Sequence, residues 1–147
     1  MAAFSLRLAQ LHPNALLALA TFQHFCKTFV GVLPSVALFC HYFYPRVEPG
    51  NHVAGAITFC RRANQVDQFI PTTKNKKWEE WRHRWMFVRF PATDDCLQEP
   101  DGPCERQPQW SEKSVRDADL GPICGRISRL VDPGLKGEHV IDHFLGH

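Results

Sequence analysis

Charge is missing from most of the first third of the chain. No Asp, Glu, Lys or Arg occurs from Leu8 to Cys26, nor from Thr28 to Pro45. Uncharged runs of this length raise the question of membrane spans. Gln10, His12, Asn14, Gln23 and His24 interrupt the first run, and Gly31 and Pro34 break the second, so no membrane span is expected and a membrane-associated protein is kept only as a third reading. Cysteine pairs at metal spacing are missing too. Cys26, Cys40, Cys60, Cys96, Cys104 and Cys124 are scattered with no C-x-x-C, and no convincing secretory signal precedes them. The expectation is buried free thiols in a reducing compartment, nucleus or cytoplasm, with a disulfide framework as the alternative. The chain also has no D-T-G or D-S-G protease triplet, no Gly-rich phosphate loop, no G-x-S-x-G elbow and no C-x2-C-x4-H-x4-C zinc knuckle. Those absences remove the familiar routes to proteolysis, nucleotide binding, acyl transfer and knuckle-type nucleic-acid binding. A net charge of +2 leaves only local basic patches as a nucleic-acid footprint.

What remains is a strongly apolar segment followed by a mixed one. With 147 residues, 44% of them hydrophobic and 22% charged, the chain is expected to be one domain, and eleven prolines imply long irregular connections. Pro13 suits a first helical turn, and Ala15, Leu19, Phe22, Cys26, Phe29 and Val30 recur on one helical face with Gln23, His24, Lys27 and Thr28 opposite. Gly31 is a plausible stop. Pro34 and Ser35 restart a shorter helix carrying Val36, Leu38, Phe39, Tyr42 and Phe43, which Pro45 ends. After turn residues Glu48 to Asn51, the stretch Val53–Arg62 alternates as a half-buried strand, with Ile57 and Phe59 against Thr58 and Cys60. Further strands are expected at Val66–Ile70 and over Trp81–Phe90. Pro91–Asp119 reads as a long Pro-rich loop with Trp110 as an anchor. Ile123, Ile127, Leu130 and Val131 then sit at helical spacing, Pro133-Gly134 breaks the run, and Gly137–Leu145 forms a last helix with Val140, Ile141 and Phe144 on one side. The expected fold is α+β: an N-terminal helical hairpin on a small antiparallel three-stranded sheet, a Pro-rich loop, and short C-terminal helices.

Lys74 to Arg89 is the candidate functional segment. Lys74, Lys76, Lys77, Arg82, Arg84 and Arg89 face only Glu79 and Glu80, with Trp78, Trp81 and Trp85 interleaved. Cations beside stacking aromatics suit RNA or single-stranded DNA, each stacked base contributing about 1–3 kcal/mol. The candidate contacts are Lys74, Lys76, Lys77, Trp78, Arg82 and Arg84. In the competing structural reading Trp85, Phe87 and Trp81 alternate into the core and the cations are simply the solvated side of a strand. His139 and His143, four apart, lack the H-E-x-x-H order and read as a surface pair. Cys96, Cys104 and Cys124 match no zinc module. The sequence implies no metal and no cofactor.

Three blocks carry a family likeness. LHPNALLALATFQHFCKTFVGVLPSVALFCHYFYPR resembles the L-x-P-N helix, G-(I/V)-x-P step and aromatic second helix of the plant gypsy-type transposase domain, a retrotransposon-derived family. KKWEEWRHRWMFV is similar to its basic linker, W-x-x-x-W pair and WFYV strand, through Trp81, Trp85, Phe87 and Val88. ISRLVDPGLKG resembles its I-x-x-L-x-x-x-G-L-T-G segment, through Ile127, Leu130, Gly134, Leu135 and Gly137. The departures are Lys136 where the family tends to have Thr, Met86 in place of an aromatic, and the parts usually found before Leu6 and after Phe144. They suggest a partial domain, a truncated copy.

The family's name raises the question of an acidic triad on two divalent ions about 3.5–4 Å apart. Asp94, Asp95, Glu99 and Asp101 fall in the Pro-rich loop, where no rigid element holds them to such geometry, and they read as solvated. The resemblance therefore implies a non-enzymatic protein of a plant gypsy-type element. Its role would be assembly, with itself or another element-encoded protein, or nucleic-acid association. The alternative is a structural remnant with no activity of its own.

Overall fold

The computed structural model of the protein describes residues 4–49, 54–62, 69–70, 102, 105–107, 110 and 118–146. Helix α1, Pro13–Phe25, begins where two local devices coincide. Pro13 occupies the first helical turn, where its missing N–H costs nothing, and the His12 ring accepts a hydrogen bond from the Asn14 amide at 3.1 Å. The helix widens into a π turn over Cys26–Val30 and stops at Gly31, whose φ of 72° lies in the left-handed region. The Gly31 and Val32 amides both donate to the Cys26 carbonyl, closing the end. Ser35 then caps α2, Val36–Tyr42, its Oγ accepting from the Leu38 amide at 3.1 Å. The start, stop and restart expected from Pro13, Gly31 and Ser35 are all present.

Tyr42 ends α2, one residue earlier than the apolar pattern implies, and Phe43–Val47 is strand β1. This corrects the assignment of Phe43 to the second helix. Pro45 bars Tyr44 from helical geometry, so the chain has to leave the helix before it, and two aromatic residues continue well as extended backbone. Strand β2, Ile57–Arg61, pairs antiparallel with β1, placing Phe43 opposite Arg61, Pro45 opposite Phe59 and Val47 opposite Ile57. The flanking bonds, Arg62 amide to Tyr42 carbonyl and Glu48 amide to Ala56 carbonyl, fix the hydrogen-bonded positions at alternate pairs. Pro45 therefore falls at a position where no N–H is asked of it.

Among the described residues the sheet has two strands, not three, and one of them is the unexpected β1. The expected strand over Trp81–Phe90 lies outside the described residues, as do residues 66–68. Phe69 and Ile70 are buried but not in a strand. The N-terminal segment runs beside β2, with the His12 amide donating to the Ile57 carbonyl at 2.8 Å and the Gly55 amide to the Ala9 carbonyl at 2.9 Å.

One hydrophobic core gathers both ends of the chain. Phe4, Leu6 and Leu11 from the N-terminal segment, Phe22, Phe25 and Cys26 from the first helix, and Leu38, Phe39 and Tyr42 from α2 are buried with Ile57 of β2. The C-terminal helices, α3 at Gly121–Val131 and α4 at Gly137–Leu145, add Cys124, Ile127, Val131 and Val140. Their spacing and boundaries match the periodic reading. Trp110 is buried, and its indole N–H donates to the Phe4 carbonyl at 3.2 Å, so it is the anchor expected of it.

Phe39 is the hub of the aromatic packing. It stacks on Phe43 at 4.9 Å and meets Phe59 edge-on at 4.9 Å and Phe22 at 5.1 Å. Urea unfolding of Phe39→Ala is expected to show a loss of about 3–5 kcal/mol, and a loss below 1 kcal/mol would mean that the ring is not packed. Gly31→Ala meets no neighbour within 4 Å, so its expected cost of about 1 kcal/mol is the left-handed backbone alone. The same titration checks it.

Candidate functional site

Lys74, Lys76, Lys77, Trp78, Arg82 and Arg84 lie outside the described residues, as do Asp94, Asp95, Cys96 and Cys104. The described residues do show the strand from which the chain runs on toward the basic segment. At its end Arg61 is exposed and Arg62 is buried. Arg62 Nε donates to the Cys40 carbonyl at 2.6 Å, and its guanidinium lies 5.9 Å from the centre of the Tyr44 ring. Burial pulls the Arg62 guanidinium below its ordinary value, an effect that Cys40 and Tyr44 oppose. Burial likewise pushes the Cys40 thiol up, against the charge of Arg62. Arg62 thus ties β2 to α2, while Arg61 projects into solvent.

Further along the strands, the face that carries Tyr44 also carries a three-membered polar group. Arg46 Nη2 donates to Glu48 Oε1 at 2.8 Å, and Thr58 Oγ1 donates to the same oxygen at 2.7 Å. Burial raises the Glu48 carboxyl, but the hydrogen bonds from Arg46 and Thr58 outweigh it and hold the group below the usual carboxylate range. The Arg46 side chain is 47% exposed, so solvent screens the ion pair.

Of the described thiols, Cys26 and Cys124 are buried and Cys40 and Cys60 are partly exposed. Cys26 is fully buried and pushed up to about 11, which keeps it protonated at neutral pH. Cys26, Cys40 and Cys60 are free thiols, and Cys124 is buried.

Two histidines far apart in sequence meet. His24 Nε2 on α1 and His143 Nδ1 on α4 are 2.9 Å apart, with Phe29 and Phe144 packed around them. His139 does not join them. Its Nδ1 accepts from the Lys136 amide at 3.2 Å, at the start of α4. Among the described residues, no group of three or more His, Cys, Asp or Glu is placed to hold a metal ion, and no helix is long and apolar enough to cross a membrane. His139 and His143 are both exposed, as read from the sequence, and the contact partner of His143 is His24. His24 was legible only as a member of the polar face of α1.

Residues 1–47 match the model of a family described as "Putative gypsy type transposon". The match covers 47 of 147 residues and ends with β1 at Val47, so it takes in the N-terminal segment, both hairpin helices and the first strand. The blocks around Trp81 and Ile127 lie beyond it. No curated protein and no solved structure matches the chain.

The Glu48 group makes a pH prediction. A carboxyl held below its unfolded value contributes stability above that value and loses it as pH falls through the folded one. Glu48→Ala is therefore expected to cost about 1 kcal/mol at pH 7. That difference should vanish in acid, below the usual carboxylate range. Thermal unfolding of both proteins across that range checks it, and a cost independent of pH would contradict it.

Proposed function

We propose that the protein is a non-enzymatic component of a plant gypsy-type retrotransposon-related protein, intracellular, and that it associates with RNA or single-stranded DNA. The observation that carries this reading is the segment Lys74–Arg89, with six basic residues against two acids and three tryptophans among them. Two kinds of contact are available from such a segment: phosphate neutralisation by Lys74, Lys76, Lys77, Arg82 and Arg84, and base stacking on Trp78. The family match over residues 1–47 supports an element-related origin. Arg61, exposed at the end of β2, adds a further cation to the described surface. The sequence supports a non-enzymatic role through the absence of the protease, phosphate-loop and hydrolase motifs.

A second reading, assembly, has its own observation. Leu33, in the connection between the hairpin helices, is 82% exposed, and Val36, at the start of α2, is 60% exposed. Contact with another copy or another element-encoded protein would cover them.

A salt series of mobility shifts and tryptophan quenching with a single-stranded oligonucleotide separates the two. The nucleic-acid reading expects binding at low salt, with log K falling against log salt by about 0.7 for each phosphate neutralised. Charge reversal at Lys76, Lys77 and Arg82 should abolish it. No shift at low salt, or binding that survives the reversal, refutes that reading. Concentration-dependent association that Leu33→Asp removes would favour assembly instead.

A further inference from the structure

Helix α4 is held to α1 by a hydrogen bond between two imidazoles. His24 Nε2 and His143 Nδ1 are 2.9 Å apart and the ring centroids 5.1 Å apart. That centroid separation is close to the nitrogen–nitrogen distance plus one ring radius at each end, so the line joining the nitrogens runs through both rings. The geometry is an in-line N–H···N bond. A metal ion shared by the rings would need their lone pairs to converge at an angle on a point outside that line.

An in-line bond of this kind needs one nitrogen to donate and the other to accept. Two neutral rings satisfy it, and so does one neutral ring facing one protonated ring. Two protonated rings do not: both nitrogens then carry hydrogen, and two like charges face each other. Phe29 and Phe144 pack against rings that water still reaches, so what opposes the second proton is the lost hydrogen bond and the like charge facing it at contact distance. The charged and titratable groups on the packed elements are Lys27 and Cys26 in the π turn, Glu138, His139 and Asp142 on α4, Cys124, Arg126 and Arg129 on α3, which contacts the π turn, and Cys60 and Arg61 on β2, which contacts α1. His139 is engaged with the Lys136 amide and Arg129 Nε with the Gly125 carbonyl. Among the described residues, the hydrogen bond of each paired nitrogen is to the other.

We infer that His24 and His143 form a protonation latch: α4 stays docked on α1 while the pair carries no more than one proton, and the second proton releases it. The released state binds one proton more than the docked state, so acid favours release and rising pH favours docking. Imidazoles titrate within the physiological range, which is what makes such a pair usable as a switch.

Hydrogen exchange of the α4 amides in the full chain from pH 8 to pH 5, corrected for intrinsic rates, tests this. The opening equilibrium is expected to rise by up to about tenfold per pH unit once the second proton binds. His143→Asn keeps an acceptor at the position of Nδ1 for His24 Nε2–H but does not titrate, so its α4 protection should be flat with pH. Unchanged protection in the native chain, or the same profile in His143→Asn, overturns the latch. Should that variant fail to fold, ring-nitrogen NMR of the native chain decides. The latch requires loss of α4 protection to coincide with arrival of the second proton on the pair. Two independent single steps with α4 still protected overturn it.

Discussion

Phe22 on α1 and Phe39 on α2 meet edge to face at 5.1 Å, and keeping that contact dry is the constraint on which the rest of the structure depends. Each ring has more to bury than one neighbour covers. Phe43 stacks beneath Phe39, Phe59 comes from β2, Phe4 from the N-terminal segment, and Phe69 packs against Phe22 and Phe43. Helices α3 and α4 arrive from the far end of the chain to close the remaining sides with Ile127, Val131 and Val140. The scarcity of charge from Leu8 to Pro45, where Lys27 is the single charged residue, has its explanation here. A helix covered by a sheet, a partner helix and a C-terminal helix has little circumference left on which an ionised side chain stays in water.

Local chemistry made much of this fold legible. Pro13, Gly31 and Ser35 act at single positions through backbone geometry, and they mark the start, stop and restart of the hairpin helices. The periodicity of Ile123, Ile127, Leu130 and Val131 and the Pro133-Gly134 break likewise mark α3 and α4. Phe43 was misread because the apolar spacing of α2 continues smoothly into it. The decisive signal was Pro45, which excludes helix at Tyr44 and allows a strand at a position without a ladder bond. The π turn brings Phe25 and Val30, five residues apart, both into the core, a spacing that a 3.6-residue period does not anticipate.

The candidate sites were legible to different degrees. The basic, Trp-rich segment stands out in composition alone, and its residues lie outside those the structure describes. The Glu48 group depends on the register that brings Thr58 opposite Arg46, which strand alternation by itself does not specify. The His24–His143 contact spans 119 positions, and helical periodicity carries no information about which turns of two distant helices will touch. The sequence placed His24 on the polar face of α1 and His143 in a surface pair with His139, and neither reading points to the other.

The central claim is that one aromatic core joins the N-terminal hairpin and the C-terminal helices into a single cooperative body. Denaturant unfolding of the full chain, followed at once by far-ultraviolet circular dichroism and by near-ultraviolet aromatic signals, tests it most directly. The account predicts one transition with coincident midpoints. Aromatic signals that melt well before the helical signal, or a gradual loss with no midpoint, would contradict it.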